Sequence, residues 1–398
     1  MKFLKDIFLN ILSQALFLAV QQIILFPIFE SHLGQKEFGF FLLLYGIFNV
    51  FTVTIATSFT NLYQKKLNIY IDQSREVKTY YIFYKKMIVY CLLILLMVFV
   101  VLFFTKFNTL SYLLISILVI LTTSRMFLIV WYRVHKNYIF ILFINLILSL
   151  MYVLVLVINP LTISEILLSF IVIELLVNII IYILLKININ RFFEYNMNDF
   201  SYASLNFLML SGFSASLMNY SDRFLINILL GASSVTVFYI ATLPTKLMIL
   251  PFNMMSTVIL SYLAKSNNIN KQIKRKLLLL LPIIFIIVSS LSYLIGLLII
   301  KLLYDEYYDN IQSIYFIVVF TFGLVCVDSI VRSFILKYYS IIKKSVLDIS
   351  ILLIFIVLSI FLVLINHSLL SIALAQLVSM FLKVIIEIFI LLKLEVED

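Results

Sequence analysis

The chain has 398 residues, of which 64% are hydrophobic and 12% are charged. A soluble domain of this size carries roughly twice that share of charged residues, so the composition excludes an ordinary soluble protein. The formal net charge of +10 would suit a nucleic-acid-binding protein. A chain this apolar, however, must place most of its backbone in lipid, where only structures that satisfy their own hydrogen bonds are stable.

Stretches long and apolar enough to cross a bilayer as helices, which takes about 20 residues each, follow one another along the chain. Their apolar runs lack the alternation of a membrane β-barrel; residues 351–365, for example, contain Ser359 as their one polar residue. The sequence therefore predicts an all-α polytopic membrane protein with about 12 transmembrane helices. The predicted spans are 7–29, 38–60, 87–105, 109–131, 138–158, 163–185, 205–230, 235–262, 277–303, 311–336, 345–365 and 369–393.

Lysines and arginines between the spans predict the orientation of the chain. If the N-terminus is cytoplasmic, the opposite side carries only Lys36, Lys106 and Lys301, and the other loop cations, Lys344 among them, are cytoplasmic. Both termini are therefore expected in the cytoplasm, and the positive charge predicts topology rather than a nucleic-acid partner. The longest segment outside the spans, 61–86, is basic and is either a solvated loop or an amphipathic helix on the anionic leaflet.

Two segments of the first half recur in the second half. Gly34, preceded by leucine, follows the first span, and Gly231, also preceded by leucine, follows the seventh at an offset of 197 (231 − 34). Residues 125–132 align with 332–339 at an offset of 207 (332 − 125), with Arg, Phe and the final Tyr identical. Because six spans separate the copies, both halves have the same orientation, which predicts two pseudo-symmetric six-helix bundles. The predicted halves are residues 1–195 and 196–398.

Ionisable side chains within the spans are the candidate functional residues, because a charge at membrane depth is costly and needs a reason. Asp328 and Arg332 are four residues apart, as are Lys383 and Glu387, so each pair can neutralise itself on one helical face. A functional role is equally open for the first pair, because Arg332 is the repeat partner of Arg125. Both arginines also lie within about two turns of the cytoplasmic ends of their spans, so their side chains can instead extend to the membrane interface. The full set is Arg125, Glu174, Asp222, Arg223, Lys246, Asp328, Arg332, Lys383 and Glu387.

The other members of this set need partners on other helices or a ligand. Arg125 has no nearby carboxylate in its own helix, and the adjacent Asp222 and Arg223 point about 100° apart. Lys246 lies between two prolines that would kink or break its helix. A salt bridge from Lys246 to Asp222 and a direct ligand role for Lys246 are both open, and Glu174 is a candidate for coupling to a proton or another ion.

An excess of cations over carboxylates in the spans predicts a central aqueous cavity with positive charge. Such a cavity suits a pyrophosphate or another anionic head group, because arginine forks match phosphate oxygens. The predicted substrate-binding cations are Arg125, Arg223, Lys246 and Arg332. The predicted coupling or salt-bridge residues are Asp222, Glu174 and Asp328. The sequence predicts neither a metal site nor a cofactor.

Short motifs give the chain a resemblance to a known family. The segment 219–224 (Asn-Tyr-Ser-Asp-Arg-Phe), the Phe-Tyr-Ile-Ala element at 238–241 and Pro251 resemble the seventh and eighth helices of bacterial polysaccharide flippases. These are the O-antigen and teichoic-acid exporters of the multidrug/oligosaccharidyl-lipid/polysaccharide superfamily. The opening from Gln21 to Pro27 is similar to the first helix of these proteins, and Leu-Gly followed by Glu-Phe-Gly is similar to the start of their second.

The resemblance implies two six-helix bundles that flip a polyprenyl-pyrophosphate-linked oligosaccharide across the bacterial inner membrane by alternating access, for surface polysaccharide synthesis. It places Asp222 and Arg223 on the family's Asp-Arg position and matches Arg125 and Arg332 to cavity cations. It also implies membrane lipids, a polysaccharide polymerase and glycosyltransferases as partners. Thr236 departs from the family pattern, which usually has glycine just before the aromatic-Tyr element.

Two other functions are open from the residues. A multidrug exporter of the same superfamily would have the same layout, although unpaired arginines favour an anionic sugar lipid over cationic drugs. A membrane-embedded polysaccharide polymerase or glycosyltransferase would normally need a large external loop or a carboxylate cluster, and the acidic residues at 305–309 are better explained as a solvated turn. We therefore expect no enzyme: the three histidines are scattered, and no ATP-binding Gly-Lys-Ser/Thr motif occurs.

Overall fold

The computed structural model describes residues 2–67, 73–103, 109–186, 202–263, 269–393 and 396–397. Within these residues, ten segments are helical, long and apolar enough to cross a membrane. One of them, Ile11–Tyr63, covers the first two predicted spans, and the helix Tyr202–Leu230 contains the seventh. The ten segments and that helix thus account for all the predicted spans. The predicted fold class, an all-α polytopic membrane protein, is confirmed.

The helices of the first half follow the apolar runs closely. Helix α1 continues through a π-helical turn, Val20–Leu25, into α2, and α2 is interrupted at Gly34, whose φ of 72° and ψ of 166° are not helical. The helices are α1 (Lys2–Ala19), α2 (Phe26–Leu67), α3 (Gln73–Phe103), α4 (Thr109–Leu128), α5 (Val130–Val134), α6 (Tyr138–Ile158) and α7 (Ile163–Leu184).

The second half begins with α8, in which Leu205–Ser214 is an apolar stretch. Helix α9 runs without interruption through Pro244 and Pro251, so neither proline ends it as the sequence had allowed. A pair of two-residue strands, Ile269–Asn270 and Val396–Glu397, is parallel. The helices are α8 (Tyr202–Leu230), α9 (Ala232–Leu263), α10 (Lys271–Leu303), α11 (Tyr308–Tyr338), α12 (Ile341–Ile365) and α13 (Leu369–Lys393).

The basic segment 61–86 differs from the prediction of a loop or a surface helix. Helix α2 extends to Leu67 and α3 begins at Gln73, so most of this segment is the ends of two long helices. Tyr80 and Phe83 are buried, with Tyr80 stacked on Phe127 of α4. The aromatic residues on this part of α3 pack against α4, which explains why the helix starts earlier than its apolar run. The predicted break at 106–108 lies outside the described residues.

The chain separates into two compact units, Met1–Tyr220 and Ser221–Asp398. In the first unit α4 packs on α7, α1 on α6, and α2 on α4. In the second unit α11 is central, because α9, α10 and α13 all pack against it. The predicted boundary between the halves, at residues 195 and 196, lies outside the described residues.

Large apolar side chains cover much of the surface of both units. Val157, Leu302 and Leu364 are each about four-fifths exposed, at 81%, 81% and 79%. In water such residues would mark aggregation or binding surfaces. In a bilayer they are the lipid-facing side, and association between helices then depends on close packing and polar contacts rather than on the hydrophobic effect.

Candidate functional site

A buried ion pair joins α4 and α7 in the first unit. Arg125 Nε donates to Glu174 Oε2 at 2.7 Å and Arg125 Nη2 donates to Glu174 Oε1 at 3.1 Å. The two side chains are 8% and 1% exposed. The guanidinium also lies 5.9 Å from the ring centre of Phe17 on α1. Arg125 therefore has the partner on another helix that its position required, and this partner occupies one edge of its fork.

A chain of hydrogen bonds continues from this pair towards α3. Asn178, one turn after Glu174, donates to the carbonyl oxygens of Glu174 and Leu121 and accepts from Ser124 Oγ at 2.8 Å. Ser124 Oγ also contacts the hydroxyl of Tyr84 at 2.6 Å. Tyr84 in turn contacts the hydroxyl of Tyr182. Polar side chains thus link three helices of the first unit, which fixes the register of α4 against α7.

The π-helical turn lies in the first span and contains a buried glutamine. Gln21 is 2% exposed and its Oε1 accepts a hydrogen bond from the Tyr45 hydroxyl at 2.7 Å. Tyr45 follows the break at Gly34, so this bond ties the first span to the second. A π-helical turn is a rare feature that often occurs at functional sites. The sequence pointed to Gln21 only as part of a motif and did not predict this contact.

In the second unit, Lys246 of α9 lies beside Asp222 of α8. Lys246 Nζ is 3.2 Å from Asp222 Oδ2, and Asp222 is 2% exposed. This is the salt bridge that one of the two interpretations expected, and a ligand role for Lys246 stays a prediction. Arg223 is buried with its guanidinium carbon 5.1 Å from the ring centre of Tyr239. The adjacent Asp222 and Arg223 thus reach different partners on α9.

The two pairs expected four residues apart on one helix are not the ion pairs of the described structure. Asp328 of α11 lies 3.0 Å from Lys383 Nζ of α13, and Glu387 of α13 contacts Lys344 Nζ of α12. Asp348 of α12 joins both lysines, at 2.8 Å from Lys344 and 3.3 Å from Lys383. Asp328 and Glu387 therefore pair with lysines of other helices, because helix packing brings these lysines closer than the basic residue one turn away on the same helix.

Arg332 loses its expected partner as a result. It is partly buried on α11, one turn after Asp328. Across the described residues, no carboxylate oxygen lies within the 4.0 Å of an ion pair to Arg332. Its helix neighbours Ser329 and Ser333 contact Asn253 and Ser256 of α9. Arg332 thus lies on a membrane-spanning helix, and the carboxylate nearest to it in sequence, Asp328, is paired with Lys383.

The two units carry matching ion pairs of opposite polarity. In the first unit the cation Arg125 is on the fourth predicted span and the anion Glu174 is on the sixth. In the second unit the anion Asp328 is on the tenth span and the cation Lys383 is on the twelfth. In keeping with this reversal, Arg332, the repeat partner of Arg125, has no carboxylate oxygen within 4.0 Å among the described residues.

Sequence reasoning missed Lys344 and Asp348. Lys344 was assigned to a cytoplasmic loop, but it is 3% exposed in the described structure and lies between Asp348 and Glu387. The spacing of four residues between Lys344 and Asp348 is the sequence signal that could have predicted this pair, because opposite charges at that spacing lie on one helical face and can neutralise each other. Among the residues that the structure describes, no group of three or more His, Cys, Asp or Glu side chains is placed to hold a metal ion.

Comparison with known proteins identifies the fold. No protein-family model matches the sequence, and no curated protein matches it. Among solved structures, the chain is similar to an inward-facing multidrug resistance MATE family transporter of the MOP superfamily. That similarity has 12% identity and a TM-score of 0.64, and covers 95% of this chain and 94% of that one.

Two further structures show the same similarity. A MATE protein in complex with MaL6 has 14% identity and a TM-score of 0.64, with 97% and 95% of the two chains covered. A MOP superfamily transporter from Pyrococcus furiosus has 14% identity and a TM-score of 0.63, with 97% and 94% covered; its structure is described by a reversed polarity of the binding pocket that suggests a different function. The chain therefore has the two-bundle fold of MATE transporters of the MOP superfamily.

Proposed function

We propose that this chain is a transporter that flips a polyprenyl-pyrophosphate-linked oligosaccharide across the membrane by alternating access, for surface polysaccharide synthesis. The observation that carries this proposal is Arg332. An arginine at the centre of a transmembrane helix costs about 2.5–3.5 kcal/mol or more, and one nearer the end of its span, such as Arg332, costs less because its side chain can reach towards the interface. Asp328, the carboxylate nearest in sequence, lies beside Lys383 instead. An anionic ligand would compensate Arg332 and would give the arginine a function.

A pyrophosphate suits this arginine better than a cationic drug does. The guanidinium group presents a planar fork of donors that binds two oxygens of one phosphate at once. A cationic ligand would add like charge to a unit that already contains Arg223, Arg332 and Lys246. The fold is consistent with the proposal, because transporters of this superfamily include one whose pocket has reversed polarity.

The second candidate is a multidrug exporter, and the structural neighbours favour it. Several of them are MATE transporters, one described as a multidrug resistance protein. In a multidrug exporter the buried ion pairs would have a structural role, and drug export would not require Arg332. The two candidates therefore differ in what the loss of Arg332 does.

The proposal includes a location and partners. We infer that the protein lies in the bacterial inner membrane with both termini in the cytoplasm, from the side on which its loop cations fall. A polysaccharide polymerase and glycosyltransferases would then act before and after the flipping step. Arg125, Arg223 and Lys246 stay predicted cavity cations, and Arg125 and Lys246 reach a ligand only if their ion pairs open.

The test is complementation of a gene deletion in the host, with surface polysaccharide and the lipid-linked precursor measured together. The deletion should lose surface polysaccharide and accumulate precursor on the cytoplasmic face. We expect Arg332→Ala to restore roughly 10- to 100-fold less export than the natural chain, the effect of losing charged hydrogen bonds. Arg332→Lys should restore an intermediate amount, because it keeps the charge without the fork.

Arg275→Ala is the matched control, because Arg275 is exposed at the start of α10. It should restore export fully, and membrane levels of each variant should be equal. Unchanged polysaccharide in the deletion, with altered tolerance to drugs, would identify the multidrug exporter instead. Full export by Arg332→Ala would contradict a ligand role for Arg332, on which the substrate assignment rests.

A further inference from the structure

Two basic side chains of the second unit can neutralise Asp328. Arg332 follows Asp328 by four residues on α11, the spacing at which an acidic side chain pairs with a basic one later on the same helix. Lys383 approaches from α13, with its Nζ 3.0 Å from Asp328 Oδ1. The structure has the second arrangement, and no carboxylate oxygen of the described residues lies within 4.0 Å of Arg332.

Burial explains why the lysine rather than the arginine is paired with Asp328. The side chains of Lys383 and Asp328 are 9% and 7% exposed, so an unpaired charge on either would be costly. Arg332 is only partly buried and lies near the end of its span, where its side chain can extend towards water. A buried lysine without Asp328 is therefore less stable than a partly buried arginine without it.

The other carboxylate beside Lys383 has a second lysine. Asp348 Oδ1 lies 3.3 Å from Lys383 Nζ and 2.8 Å from Lys344 Nζ. Loss of Lys383 would thus leave Asp348 paired but Asp328 without a lysine among the described residues. Asp328 Oδ1 accepts no well-oriented hydrogen bond from the described residues, so a guanidinium can still donate to it. Without Lys383, a salt bridge between Asp328 and Arg332 becomes the favoured arrangement.

We propose that Lys383 is a positioning residue for substrate binding, because its ion pair with Asp328 keeps Arg332 available to a phosphate group of the substrate. Lys383 acts through Arg332 and does not itself contact the ligand, since it is buried between two aspartates. The consequence for the substrate rests on the proposed function. The competition of two cations for one carboxylate does not.

Thermal unfolding of the full-length protein, purified in detergent, tests this competition. In the natural chain, Arg332→Ala should leave the unfolding temperature nearly unchanged. In a Lys383→Met background the same substitution should lower it by roughly 2–4 °C, because Arg332 is then paired with Asp328. Adding Asp328→Asn to that background should abolish the effect of Arg332→Ala, since the carboxylate that binds the arginine is gone.

Lys246→Met is the matched control for the unfolding measurements. Lys246 Nζ also pairs with an aspartate of another helix, at 3.2 Å from Asp222 Oδ2, but no arginine follows Asp222 by four residues. Lys246→Met should destabilise the protein without making the unfolding temperature depend on Arg332. Equal effects of Arg332→Ala in the natural chain and in the Lys383→Met background would overturn the proposal.

The complementation assay measures the consequence for export. Lys383→Met should restore roughly 10- to 100-fold less export than the natural chain, the same loss as Arg332→Ala. The double variant Lys383→Met with Asp328→Asn should restore export, because Arg332 is then unpaired again. Loss of export in this double variant would indicate that Lys383 itself contacts the ligand, and the positioning role would be wrong.

A neutral double variant decides the case in which Lys383→Met does not fold. Lys383→Gln with Asp328→Asn replaces the buried ion pair without leaving a charge. It should export at the natural level, and adding Arg332→Ala should reduce its export as in the natural chain; reduced export by the neutral double variant would overturn the proposal. Full export by Arg332→Ala alone contradicts the proposed function instead, and the unfolding temperatures require no transport, so the two failures are distinguishable.

Discussion

Gly34 and Gly231, the two glycines that the internal repeat aligns, both adopt positive φ angles, of 72° and 92°. Gly34 separates the first two spans, and Gly231 separates α8 from α9. Gly231 also donates its backbone N–H to Ile226 O at 3.0 Å, which closes the end of α8. Both halves thus turn from their first to their second span through a conformation that other residues rarely adopt.

Replacing either glycine with alanine should destabilise the protein through backbone strain alone. A Cβ atom at Gly34 or Gly231 would meet nothing within 4 Å, so no steric contact adds to the effect. We expect a loss of about 1–3 kcal/mol in the free energy of unfolding for each variant. The measurement is thermal unfolding of the purified protein in detergent.

Gly212→Ala is the control for this prediction. Gly212 lies within α8, and the atom nearest to a methyl group added at this position would be Ser58 Oγ at 3.5 Å, an ordinary contact. Alanine is more favourable than glycine within a helix by about 1 kcal/mol, so the Gly212→Ala variant should be as stable as the natural chain or more stable. Equal effects at Gly212 and Gly34 would contradict a role for positive φ.

The Arg125–Glu174 pair should be needed for the stability of the first unit. Removing one partner of a buried ion pair leaves an uncompensated charge, which destabilises by about 3–5 kcal/mol. We expect Glu174→Gln and Arg125→Met each to lower the unfolding temperature strongly, and the double variant to recover part of the loss. Thermal unfolding of the three variants measures the coupling.

The control for Glu174→Gln is Glu306→Gln, which also removes a carboxylate but at an exposed position.

The stability of an Arg332 variant separates a structural role of the arginine from a role in ligand binding. Arg332→Ala should leave the unfolding temperature close to that of the natural chain, because no carboxylate of the described residues pairs with Arg332. Strong destabilisation by Arg332→Ala, equal to that of Arg125→Met, would contradict the difference between the two halves.

Gly296, which has no side chain, allows α10 to pack closely against α11. A Cβ atom there would overlap the hydroxyl of Tyr315 and lie 3.1 Å from Pro244 Cβ. Tyr315 is fully buried and donates to Ser292 O at 2.8 Å, so the ring cannot easily move away. We expect Gly296→Ala to be destabilising by about 1–3 kcal/mol, the usual range for overpacking.

Removing the Tyr315 hydroxyl should relieve part of this effect. In the Tyr315→Phe background, Gly296→Ala should be less destabilising than in the natural chain, because the closest contact is gone. The recovery should be partial, since the ring carbon and Pro244 remain near. Thermal unfolding of the two single variants and the double variant makes the comparison, and an additive double variant would exclude the predicted clash.

The membrane class, the spans and the turn at Gly34 were determined by the sequence itself. An apolar run of about 20 residues has one stable solution in lipid, a helix that satisfies its own backbone. Positive φ favours glycine for a reason that lies within one residue, so the repeat of Gly34 and Gly231 was visible without a structure. The start of α3 was not, because its aromatic residues are buried by α4 rather than by lipid.

The partners of the buried charges were decided by the tertiary structure alone. The sequence placed Asp328 beside Arg332 and assigned Lys344 to a loop, because spacing within one helix was the only distance it contained. Packing of α11 against α13 instead brings Lys383 to within 3.0 Å of Asp328. Which helix faces which, and at what rotation, depends on side-chain packing between segments distant in the chain, and hydrophobic periodicity does not specify it.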